Sequence, residues 1–161
     1  MAVDMFIKID DVKGETVDDT HPDEIEVLNW SWGMSQSGST HSGPGGGAGK
    51  VNVNDLSFTH YVDKSSPNLM KMCCNGQHFE EAKLVVRKAG KTPLEYMLIT
   101  MKHGIISSVS AGGSTGEDRL TENVTLNFSE FESSYVPQMA DGSGDAEITV
   151  GWDIAKNVET A

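Results

Sequence analysis

Basic residues are scarce in this chain: twelve Lys and Arg stand against twenty-four Asp and Glu, a formal net charge of −12 over 161 residues. A field of that sign repels phosphate backbones, which excludes a general nucleic-acid binder. Lys83, Arg87 and Lys88 are spread along what reads as one strand and make no basic stripe. Cysteine is limited to the neighbours Cys73 and Cys74. A disulfide between adjacent cysteines strains the intervening peptide, so two free thiols in a reducing compartment are expected. Long apolar runs are missing, so no membrane insertion is expected. The segment Met1 to Phe6 carries neither a basic leader nor an apolar stretch, and the chain reads as made and folded in the cytosol.

What is present is alternation with a period of two, the mark of half-buried strands. Val3, Met5, Ile7 and Ile9 share one face, with Asp4, Phe6, Lys8 and Asp10 on the other. Glu26, Leu28, Trp30 and Trp32 oppose Val27, Asn29 and Ser31. Val51 and Val53 begin another strand, and a phase slip at Asn54-Asp55 precedes Leu56, Phe58, His60 and Val62, as a bulge would produce. Further strands are predicted over 82–88, 94–102, 105–110, 122–131 and 147–154, where Val, Ile, Thr and aromatics are dense.

One helix interrupts them. Ser66 suits an N-cap, Pro67 the first helical position, and Asn75-Gly76 a left-handed stop, with Leu69, Met70 and Cys73 on one face. Strands in two packed sheets or a barrel, with one short helix outside, are the predicted all-β fold of a single domain. Eight carboxylates crowd Asp10–Glu26 beside the lone base Lys13, which reads as a solvated loop. Residues 33–50 are rich in Gly and Ser and longer than a corner requires, so they are expected to order only on something they dock against.

The motifs that resemble chemistry fail on their context. A phosphate-binding loop ending at Gly49-Lys50 would need Gly where Pro44 stands and a hydroxyl where Val51 stands, and a strand follows in place of a helix. Gly112-Gly113-Ser114-Thr115-Gly116 has the Gly-x-Ser-x-Gly spacing of a nucleophile elbow, but it also runs into a strand. His21, His41, His60, His78 and His103 show no metal-ligand spacing. Asn123-Val124-Thr125 and Asn127-Phe128-Ser129 are glycosylation sequons by letter alone. No catalytic residue, cofactor or metal is expected. A small all-β domain must still protect its sheet edges, and pairing with further copies does so.

The wording of the sequence adds a resemblance. Val3–Ile9, Trp30-Ser31-Trp32-Gly33, Gly43–Lys50 leading into Val51-Asn52-Val53, and Asp55–Phe58 come in an ordered series. Lys64–Leu69, Arg87–Gly90, Glu122–Leu126 and Gly151–Ile154 continue it to the end of the chain. In that order they resemble the Hcp family (haemolysin-coregulated protein), the tube-forming component of bacterial type VI secretion systems. The resemblance implies a β-barrel of two packed sheets with one short flanking α-helix, forming a homohexamer whose rings stack into a tube. It further implies a contractile sheath around the tube, a spike protein at its tip, secreted effectors in its lumen, and export without a cleavable signal peptide. The extended loop would contact the next ring through Ser42, Gly43, Pro44, Gly45, Gly46, Gly47 and Ala48. Asn29 and Ser31, opposite the Trp face, would line the lumen.

Overall fold

A computed structural model describes residues 2–38 and 49–161. Its strands are β1 (Val3–Ile9), β2 (Ile25–Glu26), β3 (Asn29–Ser31), β4 (Met34–Ser35), β5 (Asn52–Val53) and β6 (Leu56–Tyr61). After helix α1 (Ser66–Asn75) come β7 (His78–Lys88), β8 (Leu94–Gly112), β9 (Thr121–Tyr135), β10 (Ile148–Asp153) and β11 (Val158–Glu159). Nine strands form one antiparallel sheet in the order β11-β10-β9-β8-β7-β1-β2, with β6 on the first half of β9 and β3 on β6. β4 and β5 make a separate ribbon, so residues 33–50 begin as paired strand rather than as loop throughout.

The all-β class with one helix is as expected; the closure differs. Segment 25–31 leaves β1 after Glu26 and joins β6 at Asn29, through Val27 N–H to Met5 C=O (2.9 Å) and Leu28 N–H to Thr59 C=O (2.8 Å). No continuous ladder spans that crossing, so the ladders give one nine-stranded sheet plus a ribbon and do not by themselves close into the expected barrel. The change of partner also shifts the side-chain phase. Val27 is buried and Leu28 half-buried, the reverse of the predicted faces, while Trp30 packs on the core as expected.

The core is the concave side of the sheet, where Ile7, Ile9, Leu56, Phe58, Leu84, Ile99, Met101, Val124 and Leu126 meet. Trp32 lies edge-on to Phe131 with ring centroids 4.9 Å apart, and its indole N–H donates to the Asn54 carbonyl at 2.9 Å. The phase slip at Asn54-Asp55 is therefore where the chain leaves the ribbon for the main sheet. β8 runs unbroken through residues 102–105, where a gap was predicted; His103 takes a positive φ of 55° and keeps the strand in register with β7 and β9.

Helix α1 sets Leu69 and Met72 into the core, while Met70 stays exposed. Ser65, not Ser66, holds the N-cap position, and the Asp63 carboxylate accepts its backbone N–H at 2.8 Å. Gly76 ends the helix at φ 69°, a left-handed turn glycine adopts without steric cost.

Candidate functional site

Antiparallel register decides which polar side chains share a surface. On the convex side of the strip β3-β6-β9-β8, Asn29 lies opposite Thr59, Thr59 opposite Asn123, and Asn123 opposite Ser110. The next row is Ser31, Ser57, Thr125 and Ser108. These eight positions carry only hydroxyls and amides, although Asp and Glu abound elsewhere in the chain. The sequon letters at Asn123 and Asn127 arise from the same alternation, polar outward and apolar inward. Asn29 and Ser31 are exposed opposite Trp30, on the face the sequence assigned them.

Many of these groups already hold one another. The Ser57 and Thr125 hydroxyls are 3.0 Å apart, and the Thr59 hydroxyl donates to the side-chain Oδ1 of Asn123. Asp55 accepts from the Ser107 hydroxyl at 3.1 Å and from the Asn127 amide at 2.8 Å, tying the start of β6 to β8 and β9. The result is a strip of small uncharged side chains, some of them bonded to one another, with the Asp55 carboxylate at its edge.

A second polar cluster lies on the convex side of β1 and β7, and the sequence reading missed it. The acid-rich segment predicted as a solvated loop folds down there, through Gly14 N–H to Asp23 C=O (2.8 Å) and Asp23 N–H to Thr16 C=O (3.0 Å). Arg87 reaches it with a two-pronged contact to Asp18 (2.7 and 2.9 Å) and a bond to Asp4 (3.1 Å). The guanidinium holds the Asp18 carboxyl well below its ordinary pKa, and Asp18 raises that of Arg87. His21 stacks on Phe6 with centroids 4.7 Å apart, and its ring nitrogens donate to Glu24 (2.9 Å) and Glu95 (2.5 Å). Burial opposes charge on that ring, but the two carboxylates outweigh it and raise the His21 pKa above 6.5. Phe6, predicted on the solvent side of β1, is buried because this segment covers it.

The chemical look-alikes come apart in three dimensions. Ser114 is exposed in the turn between β8 and β9, with no helix after it. Cys73 is half-buried, Cys74 is exposed, and both are free thiols. Among the described residues no group of His, Cys, Asp and Glu is placed to hold a metal ion, and no helix is long and apolar enough to cross a membrane. Residues Ser42–Ala48, assigned to contact between rings, lie outside the described residues.

Residues 6–135 match the family model described as "Type VI secretion system effector, Hcp". The chain belongs to the Hcp family. It is 63% identical to protein hcp1 of Pseudomonas aeruginosa over 161 residues, covering 99% of both chains. Among solved structures it is similar to a type six secretion system protein (31% identity, TM-score 0.94), covering 99% of this chain and 100% of that one. Hcp1 of Salmonella typhimurium is 44% identical with a TM-score of 0.83, again covering 99% of this chain and 100% of the other. With the family comes its role: this is a type VI secretion tube protein, exported and structural, in a family of proteins that form homo-oligomeric rings and not in an enzyme family.

Proposed function

We propose that residues 1–161 act as one tube domain, that six copies close into a ring, and that rings stack into the inner tube expelled by sheath contraction. Assembly takes place in the bacterial cytoplasm, around a spike at the tip and within the contractile sheath. The tube then passes to the extracellular space or a target cell with effectors in its lumen. The observation that supports this reading is the convex wall of Asn29, Ser31, Ser57, Thr59, Asn123 and Thr125, which is neutral in a chain of charge −12. A wall facing a lumen must admit folded cargo of varied sequence, so it needs small side chains and few fixed charges.

Light scattering on the eluting protein, with negative-stain imaging, tests the assembly. Rings of six subunits and tubes at high concentration are expected; a lone subunit at every concentration overturns the reading. The wall has its own test in Ser31→Phe, at an exposed strand position. Stability should stay within about 0.5 kcal/mol of wild type while effector retention falls. A loss of several kcal/mol, as overpacking a core produces, would show that Ser31 faces inward.

A further inference from the structure

Residues 13–24 form a flap over the convex side of β1 and β7. Its two legs close at the base, where a Cβ added to Gly14 would lie 2.2 Å from the Glu24 carbonyl oxygen. Among the described residues, the backbone bonds of 13–23 stay within the flap and join Gly14 to Asp23, Thr16 to Glu24, and Asp23 to Thr16. Side chains alone hold it to the sheet. Asp18 and Thr20 bind Arg87 of β7, while His21 stacks on Phe6 of β1 and binds Glu95 of β8. A lone hairpin is marginally stable in water, so the order of the flap depends on those contacts.

His21 is the contact that a proton controls. Carboxylate oxygens stand at both ring nitrogens, Glu24 at 2.9 Å from Nδ1 and Glu95 at 2.5 Å from Nε2. An ionised carboxylate only accepts, so keeping both contacts requires an imidazolium with a proton on each nitrogen. A neutral ring has one donor left and turns a lone pair toward the other carboxylate. The Glu24 side chain is 11% exposed and that of Glu95 47%, so Glu24 is the costlier one to strand and the neutral ring gives up Glu95. Glu95 is the tie to β8. Across the Phe6 ring stands Arg87, 5.0 Å from its centroid, itself bound by Asp18 of the flap and Asp4 of β1. Among these side chains, histidine is the type whose charge changes between about pH 5 and 8.

We propose that residues 13–24 are a pH-operated flap, closed over Phe6 while His21 is protonated and released from β8 when His21 loses its proton. Release swings His21 off the Phe6 ring and opens the convex face of β1 and β7 to solvent. The Asp18–Arg87 contact stays as the pivot. The raised pKa of His21 gives the same direction: its contribution is complete below pH 6.5 and disappears as pH rises through the folded value. Export carries the protein from one compartment to another, and the flap follows the pH of each.

Hydrogen–deuterium exchange of the intact protein, followed by mass spectrometry, tests this. Exchange is corrected for its intrinsic pH dependence and read for peptides covering 13–24, with peptides of β8 and β9 as the internal reference. From about pH 6 to about pH 8.5, protection of 13–24 should fall about tenfold while β8 and β9 keep theirs. Glu95→Gln should keep the flap closed at both, because the introduced amide can donate to the lone pair of a neutral ring. Glu95 is half exposed, so that variant should melt close to wild type. Equal protection of 13–24 at both pH values in wild type, or a Glu95→Gln variant that opens as wild type does, overturns the proposal. Protection lost from β8 and β9 together with 13–24 is general unfolding and overturns it equally. If Glu95→Gln does not fold, the wild-type comparison decides by itself.

Discussion

His60 and Glu122 lie opposite each other on β6 and β9, both fully buried, with the His60 Nε2–H donating to Glu122 Oε1 at 2.8 Å. The other two polar atoms, His60 Nδ1 and Glu122 Oε2, are buried and have no hydrogen-bond partner among the described residues, and Asp63 lies 4.0 Å from Nδ1. The pair is thus held by one good bond in an apolar setting. Removing one partner strands the other away from water, so Glu122→Ala or His60→Ala should cost about 3–5 kcal/mol. Replacing both with Leu should be neutral or stabilising by about 1–4 kcal/mol. Urea unfolding of the two single variants and the double variant checks this; single variants close to wild type would show that the pair carries no uncompensated charge.

The clasp on β1 and β7 predicts opposite responses at the two ends of the pH range. His21 has a folded-state pKa above 6.5, so its contribution is complete below pH 6.5 and disappears as pH rises through the folded value. Asp18 has a folded-state pKa below 3.8, so its contribution is present above pH 3.8 and disappears as pH falls toward the folded value. Melting temperatures from pH 3 to 9 should therefore show a loss as pH rises above 6.5 that His21→Gln removes. Arg87→Ala should lessen the loss below pH 3.8 to which Asp18 contributes. Parallel curves for wild type and His21→Gln would refute the assignment of that step to His21.

Gly104 sits where β8 passes over Phe79. A Cβ there would lie 2.4 Å from the Asn127 carbonyl oxygen and 2.4 Å from the Phe79 ring. Gly104→Ala should cost about 1–3 kcal/mol by overpacking. Gly112→Ala, where an added Cβ meets nothing within 4 Å, should stay within about 0.5 kcal/mol. Thermal melts of the two variants side by side decide the matter.

The stretch of glycines between β4 and β5 carries the prediction on stacking. Deleting residues 42–48 should leave rings of normal mass and prevent tubes. Long tubes formed by the deletion variant under negative stain would show that other surfaces stack the rings.

Local periodicity was enough to read β1 in full, because Val3 to Ile9 keep one phase and one partner strand along their length. It was also enough to set Asn29 and Ser31 opposite Trp30. Periodicity misread Val27 and Leu28, since the chain changes partners between them and nothing nearby records a change of neighbour. The same limit hid the burial of Phe6, which depends on His21 and Arg87 far along the chain. It hid the His60–Glu122 bond too, which joins residues 62 apart in sequence. The helix start was off by one residue, because the Asp63 carboxylate supplies a turn that a search for Ser, Thr or Asn beside Pro67 credits to Ser66. The polar wall was half legible: the alternation in β9 was plain, but its alignment with β3 and β6 is a matter of register.

The β8–β9 hairpin has a mechanical meaning. β8 is a single strand of nineteen residues, joined to β9 by paired residues from Met97–Tyr135 to Gly112–Thr121. Tension along those strands loads the crosswise hydrogen bonds together in shear, and none can yield alone as in peeling from one end. A thrust delivered along them meets a stiff rod rather than a row of hinges.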